Sequence, residues 1–533
     1  MRPLVVSVLA LSILTPPAIF QVSTPRSLHF FQQSTPTAAK HLIETMGGGV
    51  AVLDFNNDGL LDLFFVNGGH ISAQGFNRDN PKYWNRLYRQ DKNGTFTDVT
   101  AQAGLSHAGN DNYGMGVAVA DYDNDGYPDL YVTGFGHNVL YHNNGNGTFT
   151  DVTATAGVAA GGWSASAGFF DFDNDGKLDL FVTRYMDWTL QTSKSCAKQT
   201  YCPPGEFPAV TNMLFHNRGD GTFEDVSLKS GIAGKKGRSL GVAFADYDGD
   251  GYPDIFVAND GMEQFLWHNN GNGTFTERAL DAGVSLSDDG KPYAGMGVDF
   301  RDYDNDGFPD IIVTNLAKQT YALYHNDGKG MFSYRSLEAG LGNLTSGSSG
   351  WGVGLVDFDN DGWKDLFAAQ GHVLDNVEQV DPSMHYLEKP LLALNHSGRF
   401  EPSDAGAVMP VAGRGAAFGD LNNRGCMDVL MGVLNGSPLL FHNQCANGNH
   451  WLGLHLTGVR SNRDALGATI IVNGQYQYLQ TAVGYQSASD KRVHLGLREQ
   501  KSADIEIRWP SGIHQKLSSI AVDRYIEVRE PQR

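Results

Sequence analysis

At 533 residues, with 65 glycines and only 18% charged side chains, the chain has ample length for a large ring plus an appendage and favours strands and turns over helices. A formal net charge of -20 argues against nucleic acid as a partner.

Met1 and Arg2, the apolar run from Leu4 to Leu14, and then Pro16, Pro17 and Ala18 read as a secretory signal over residues 1–24, cut between about Ala18 and Thr24. The run is too short to span a bilayer, and no other stretch is a candidate span. Residues 31–35 (FQQST) stand alone ahead of the first repeat and are expected to complete the last one.

A nine-residue acidic loop then recurs seven times, starting at Asp54, Asp121, Asp171, Asp246, Asp302, Asp357 and Asp420. In six copies, positions 1, 3, 5 and 9 carry oxygen side chains. These are Asp54, Asn56, Asp58 and Asp62 in the first, Asp121, Asp123, Asp125 and Asp129 in the second, and Asp171, Asp173, Asp175 and Asp179 in the third. Asp246, Asp248, Asp250 and Asp254 follow in the fourth, Asp302, Asp304, Asp306 and Asp310 in the fifth, and Asp357, Asp359, Asp361 and Asp365 in the sixth. Position 7 of each candidate set is Leu60, Tyr127, Lys177, Tyr252, Phe308 or Trp363, which offers its main-chain oxygen. A hard cation takes six to eight oxygens, and alternate residues of a tight turn aim carboxylates at one point, so the implied cofactor is calcium, about six structural ions. Six divalent ions would bring the net charge to about -8, so the acidity reflects metal sites.

An EF-hand loop opens the same way but closes with Glu at position 12 and enters a helix. Here position 9 runs into β-branched, aromatic segments such as residues 129–133 (DLYVT), 254–258 (DIFVA) and 310–314 (DIIVT). Residues 116–120, 241–245 and 352–356, which precede loops, also read as strands, so each loop joins two strands. Asp-Asn-Asp-Gly clusters also make plain hairpin turns, but a turn has no need of four acids that repel at short range. Asn56 removes one charge from the first loop, which is expected to bind more weakly. In the seventh, Arg424 replaces the position-5 acid and is expected to bridge Asp420 and Asp428 as a built-in cation, excluding metal.

Most loops are followed by a third strand such as residues 139–143 (VLYHN), a glycine turn, and a fourth such as residues 148–153 (TFTDVT). Seven such repeats predict an all-β fold, a seven-bladed β-propeller over residues 25–446. Glycine-rich first strands suit the crowded axis where blades meet. From about Asn447 the pattern changes to short strands, predicting a small β-sandwich-like domain over residues 447–533 with its own core. Four cysteines fit an oxidising compartment, with local pairs Cys196–Cys202 and Cys426–Cys445 preferred among three connectivities.

The Asp-x-Asp-x-Asp-Gly-x-x-Asp loops within blade-like repeats resemble the FG-GAP/VCBS class of calcium-loop propellers. Residues 461–468 (SNRDALGA), 485–490 (YQSASD), 494–497 (HLGL) and 509–512 (WPSG) resemble the ASPIC/UnbV domain. Together they resemble the bacterial cartilage acidic protein-like family. The resemblance implies secretion and calcium at the matched acids, and it supplies no agreed reaction.

No nucleophile elbow, phosphate loop, dinucleotide fingerprint or zinc spacing is present. A propeller can still assemble a site from separated loops around its central channel, and the inserts near residues 77–84, 187–207 and 372–385 are where one would be sought, since Tyr83, Trp84, Tyr185, Trp188 and His372 can stack on sugars. His142, His216, His268, His325 and His442 recur once per repeat and read as strand-surface residues, with Arg89 and Asn395 in their place elsewhere. Arg218-Gly219-Asp220 aligns with an ordinary turn, and Asn462, Arg463, Asp464, Tyr485 and Ser487 are candidates for a polar site on the small domain. The leading expectation is a secreted calcium-stabilised platform for an extracellular glycan or protein. The alternative is a secreted carbohydrate lyase or hydrolase.

Overall fold

The computed structural model describes residues 18–533 apart from residues 73, 107–111, 194–195, 197–199 and 533. Most of the expected signal, residues 1–17, lies outside the described residues.

Each acidic loop joins the first two strands of a four-stranded antiparallel sheet. In the second repeat Tyr113–Ala120 pairs with Asp129–His137, which pairs with Val139–Asn143, which pairs with Phe149–Asp151. The first strands of successive sheets are Val50–Leu53, Tyr113–Ala120, Gly161–Phe170, Ser239–Ala245, Val298–Arg301, Gly350–Val356 and Gly413–Gly419. They touch one another in chain order and the last meets the first, so the sheets form the ring of a propeller. Apolar clusters between adjacent sheets form the core, one of them joining Phe64, Leu87, Val117 and Leu130.

The strand that completes the last sheet is not residues 31–35. Phe20–Ser23 pairs antiparallel with Leu439–Asn443. Phe20 is 3% exposed and meets the rings of Phe358, Phe441 and Phe367 at 5.2, 5.8 and 6.3 Å. Residues 20–23 put apolar Phe20 and Val22 on one face, whereas Gln32 and Ser34 hydrogen-bond to Gly436 and Asn435 without forming a strand. Leader cleavage after Ser23 would remove this strand, whereas cleavage at Ala18 would keep it.

The C-terminal segment forms two sheets, one of His450–Thr457, Val493–Arg498 and Arg524–Arg529, the other of Thr469–Val472, Gln475–Tyr478, Ser502–Arg508 and His514–Ala521. Its core residues, Leu452, Leu495, Ile505 and Trp509 among them, are continuous with Ala118, Leu140 and Phe169 of the second and third blades. The segment is therefore docked on the ring, with no apolar core separate from it.

Its hairpin, Ala482–Val483 and Ser487–Ala488, enters the central channel. Ala488 lies opposite Ala51 of the first blade, Gly484 exchanges two hydrogen bonds with Val298 of the fifth, and the Gln486 carbonyl accepts from Val117 of the second. Tyr485 at the tip is fully buried and donates to the Met46 carbonyl at 2.7 Å. The glycines of the inner strands are explained by this contact. A Cβ at Gly49 would stand 2.4 Å from the Gln486 carbonyl oxygen, and one at Gly116 2.9 Å from the Gln486 Cα.

Removing the Phe20 side chain should cost about 3–5 kcal/mol, the usual penalty for emptying a buried aromatic site. Chemical denaturation of Phe20→Ala should show that loss. Deleting residues 1–18 should leave melting unchanged, while deleting through Ser23 should lower it; equal melting of the two truncations would exclude this closure.

Candidate metal centres and the opposite face

Each loop wraps its main chain around its own acids. In the second, Asp121 accepts from the N–H groups of Asp125 and Gly126 at 2.9 and 2.8 Å, and Asp125 from that of Tyr127 at 2.9 Å. Asp129, the first residue of its strand, accepts from Tyr122 in the loop and Asn143 on the third strand. Gly126 takes a φ of 101° and Asn124 one of 62°, the left-handed conformations that fold the acids inward. Asp121, Asp123 and Asp125 thereby offer oxygens all within 4.8 Å of one another.

Such a gathering is crowded with negative charge. Burial raises Asp62 and Asp171 to about 8 and Asp129, Asp179, Asp254 and Asp310 to about 7. Among the described residues, Asp173 Oδ1 and Asp304 Oδ1 are buried without a hydrogen-bond partner. The acidic groups can hold a metal ion, and hard carboxylate and carbonyl oxygens suit a hard divalent cation. The sequence-predicted acids of loops one to six occupy equivalent places in this frame. In the first, Asn56 Nδ2 donates to Asp58 Oδ2 at 3.0 Å, binding a carboxylate oxygen that Asp would leave free.

The expected Arg424 bridge in the seventh loop is absent. Arg424 Nη2 reaches the Asn443 carbonyl, while Asp420 is satisfied by the N–H groups of Arg424 and Gly425 and by the Tyr525 hydroxyl of the C-terminal domain.

The recurring histidines are not simply surface residues. Tyr141 pairs with Leu130, which sets His142 next to Asp129, and its Nδ1 lies 3.4 Å from Asp129 and 3.2 Å from Asp123. His216, His268 and His325 repeat the arrangement. The adjoining position-9 carboxylate raises His142 and His325 to about 9 against the opposing effect of burial. In the sixth blade the register assigns this place to Leu394, not Asn395, which pairs with Phe400 as Asn143 does with Phe149.

Two hydrogen-bond belts connect adjacent loops. Position-4 asparagines Asn57, Asn124, Asn174, Asn305, Asn360 and Asn423 each donate Nδ2 to the position-6 glycine carbonyl of the next loop at 2.8–3.0 Å, and Asn423 closes onto Gly59. Third-strand asparagines from Asn143 to Asn443 donate back to the position-2 carbonyl of the preceding loop at 2.6–2.8 Å. Gly249 stands where the fourth loop would have its position-4 asparagine, with a φ of 77° and open space around it.

The inserts gather on the face opposite the loops, but most of their rings are core. Tyr83, Tyr185 and Trp188 are buried, and the Trp84 indole donates to the Arg78 carbonyl. Tyr185 and His372 line a pocket of about 320 Å³ with Tyr201, Asp260 and Trp351. The polar group expected on the small domain is divided: Tyr485 and Ser487 lie in the channel, while the Arg463 N–H binds Asn124 of the second loop and Asp464 accepts from the Asp121 N–H. Cys196–Cys202 and Cys426–Cys445 are both disulfides.

A ring of sheets with acidic inter-strand loops defines a propeller class, and the chain belongs to it. The FG-GAP-like repeat family matches residues 54–132, 121–182, 209–257, 246–313 and 302–368, more than half of the chain, and an ASPIC and UnbV domain spans residues 458–533. Among curated proteins the chain is similar to cartilage acidic protein 1 of Mus musculus, 24% identical over 328 residues, covering 59% of this chain and 49% of that protein. The Homo sapiens protein of that name is also 24% identical over 328 residues, covering 59% and 48%. The chain spans about half the length of these relatives. Similar solved structures include an Agrocybe aegerita lectin described for recognition of non-reducing terminal N-acetylglucosamine, with 18% identity, a TM-score of 0.39, and 67% of this chain and 81% of that one covered. The BP39L lectin of Burkholderia pseudomallei shows 11% identity and a TM-score of 0.47, covering 75% and 97%.

Carboxyls raised on folding contribute stability that is full below the unfolded value near 4 and is lost as pH rises through their folded values of about 7 to 8. Chelator-stripped protein should therefore lose melting temperature between pH 4 and 8, and added calcium should restore it most at the alkaline end. A pH-independent calcium effect would contradict this. Gly249→Asn should complete the first belt and add about 0.5–1.5 kcal/mol, one hydrogen bond, in urea denaturation. Gly249→Ala, with no donor and a left-handed backbone, should destabilise; equal effects would show that the belt contributes nothing.

Proposed function

We propose that the protein is a secreted, calcium-stabilised binding platform, with ions in loops one to six fixing the ring and an extracellular glycan or protein bound on the insert face. The observation that carries this reading is the separation of the two faces. The acids lie on the face covered by the C-terminal domain, its hairpin fills the channel, and a largely apolar pocket opens among the inserts on the other side. Ions so placed act on the fold and not on a bound ligand. Two disulfides, one of them in an insert, support an oxidising compartment. Among the described residues no helix is long and apolar enough to cross a membrane.

A glycan array and a panel of extracellular-matrix proteins, probed with the calcium-loaded chain, test the proposal. Binding that is lost on substitution of insert residues and returns unaltered ligand is expected. Ligand recovered with new chain ends or an unsaturated product would show catalysis instead, and no binding on either panel would overturn the platform reading.

A further inference from the structure

The pocket among the inserts carries half of an ion pair. Its volume of about 320 Å³ lies in the range of small-molecule sites, and most of its wall is apolar or aromatic, including Tyr185, Tyr201, Met296 and Trp351. Among the described residues, its only acidic or basic lining groups are Asp260 and His372. Burial and the neighbouring Arg414 hold His372 below its ordinary value, and its Nδ1 accepts from the Leu374 N–H, so the ring is neutral with its proton on Nε2. The formal charge of the wall is that of Asp260.

Asp260 enters the pocket through an irregularity in Asp254–Met262, where the pairing with Tyr293–Ala294 shifts register between Asp260 and Met262. Its Oδ2 accepts from the Tyr185 hydroxyl at 2.6 Å, the carboxylate's one hydrogen bond among the described residues. The Arg238 guanidinium is close enough to favour the charged carboxylate but forms no ion pair with it among the described residues, and the pocket's other neighbouring guanidinium, Arg414, lies over the Trp351 ring at 4.1 Å. Arg238 donates to the Phe207 carbonyl, and Arg414 to the carbonyls of Thr45, Gly371, Gly413 and His372. Asp260 is raised to about 6, first by burial, and so is ionised at neutral pH. A carboxylate in an apolar wall without an ion-pair partner is costly, and a ligand cation seated against it offsets that cost. A polyhydroxylated ligand fits less well, since the pocket has few polar groups to meet its hydroxyls.

We propose that this pocket binds a small organic ammonium, its cationic head against Asp260 and its apolar body between Tyr185, Tyr201 and Trp351. Trp351 lines the pocket and packs edge-on against Tyr485 at 4.9 Å, so the hairpin tip supports its floor. The inference rests on the insert face being the ligand face. A glycan or protein that binds there without competition from ammonium compounds would leave that reading standing and overturn this one.

The test compares choline with its neutral isostere 3,3-dimethylbutan-1-ol on the full calcium-loaded chain, by calorimetry and tryptophan fluorescence. Choline should bind at least about tenfold more tightly. Asp260→Asn should abolish that preference while leaving the alcohol's affinity unchanged. Equal affinities, or no choline binding at about 10 mM, would overturn the proposal. Because the comparison on the unmodified chain needs no variant, a folding defect in Asp260→Asn would not rescue it; Tyr185→Phe, which keeps the ring and removes one hydroxyl, should retain the preference.

Discussion

Acidic side chains held at the turn between the two innermost strands of each blade, four carboxylates in each of loops two to six, are the constraint on which the rest of the ring depends. The main-chain N–H groups of each loop point at those acids, so the turn closes around negative charge that its own hydrogen bonds only partly balance. Burial raises these carboxyls, and histidines lean on positions 3 and 9 in four successive blades. These acidic groups can hold a divalent cation, and the belts of asparagines connect each loop to its neighbours. The gap in the first belt at Gly249 lies between the fourth and fifth loops, where Tyr476 of the C-terminal domain stands next to Gly307 instead.

The C-terminal domain converts the ring from a channel into a two-faced plate. It covers the loop face through Arg463, Asp464 and Tyr525, and its hairpin runs along the axis to reach Met46 on the far side. Glycines at the inner strands follow from this arrangement, since the hairpin main chain lies where their side chains would be. On the insert face a disulfide-closed loop borders a pocket whose carboxylate, Asp260, has no ion-pair partner among the described residues.

Much of this was legible in the residues. The loop spacing, the strand periodicity around it and the change of pattern near Asn447 identify the propeller and the second domain, because those features repeat locally. The disulfides were legible because each pair is close in sequence. Contacts made across the ring were not. Position-4 asparagines look like turn formers, and their role as donors to the next loop depends on blade geometry. The histidines read as surface residues until antiparallel register set them against position 9. Residues 31–35 read as the closing strand because the true one, Phe20–Ser23, overlaps the apparent leader. Tyr485 and Ser487 looked like a polar site because nothing local in the sequence says that their hairpin enters another domain.

The central claim is that the acids of loops one to six are gathered around divalent cations. Calorimetric titration of calcium into chelator-stripped, dialysed protein tests it most directly, under conditions sensitive to millimolar constants. The account predicts about six ions per chain, with roughly 10⁻⁴ to 10⁻³ M affinities typical of extracellular modules. Absence of any binding under those conditions would contradict it.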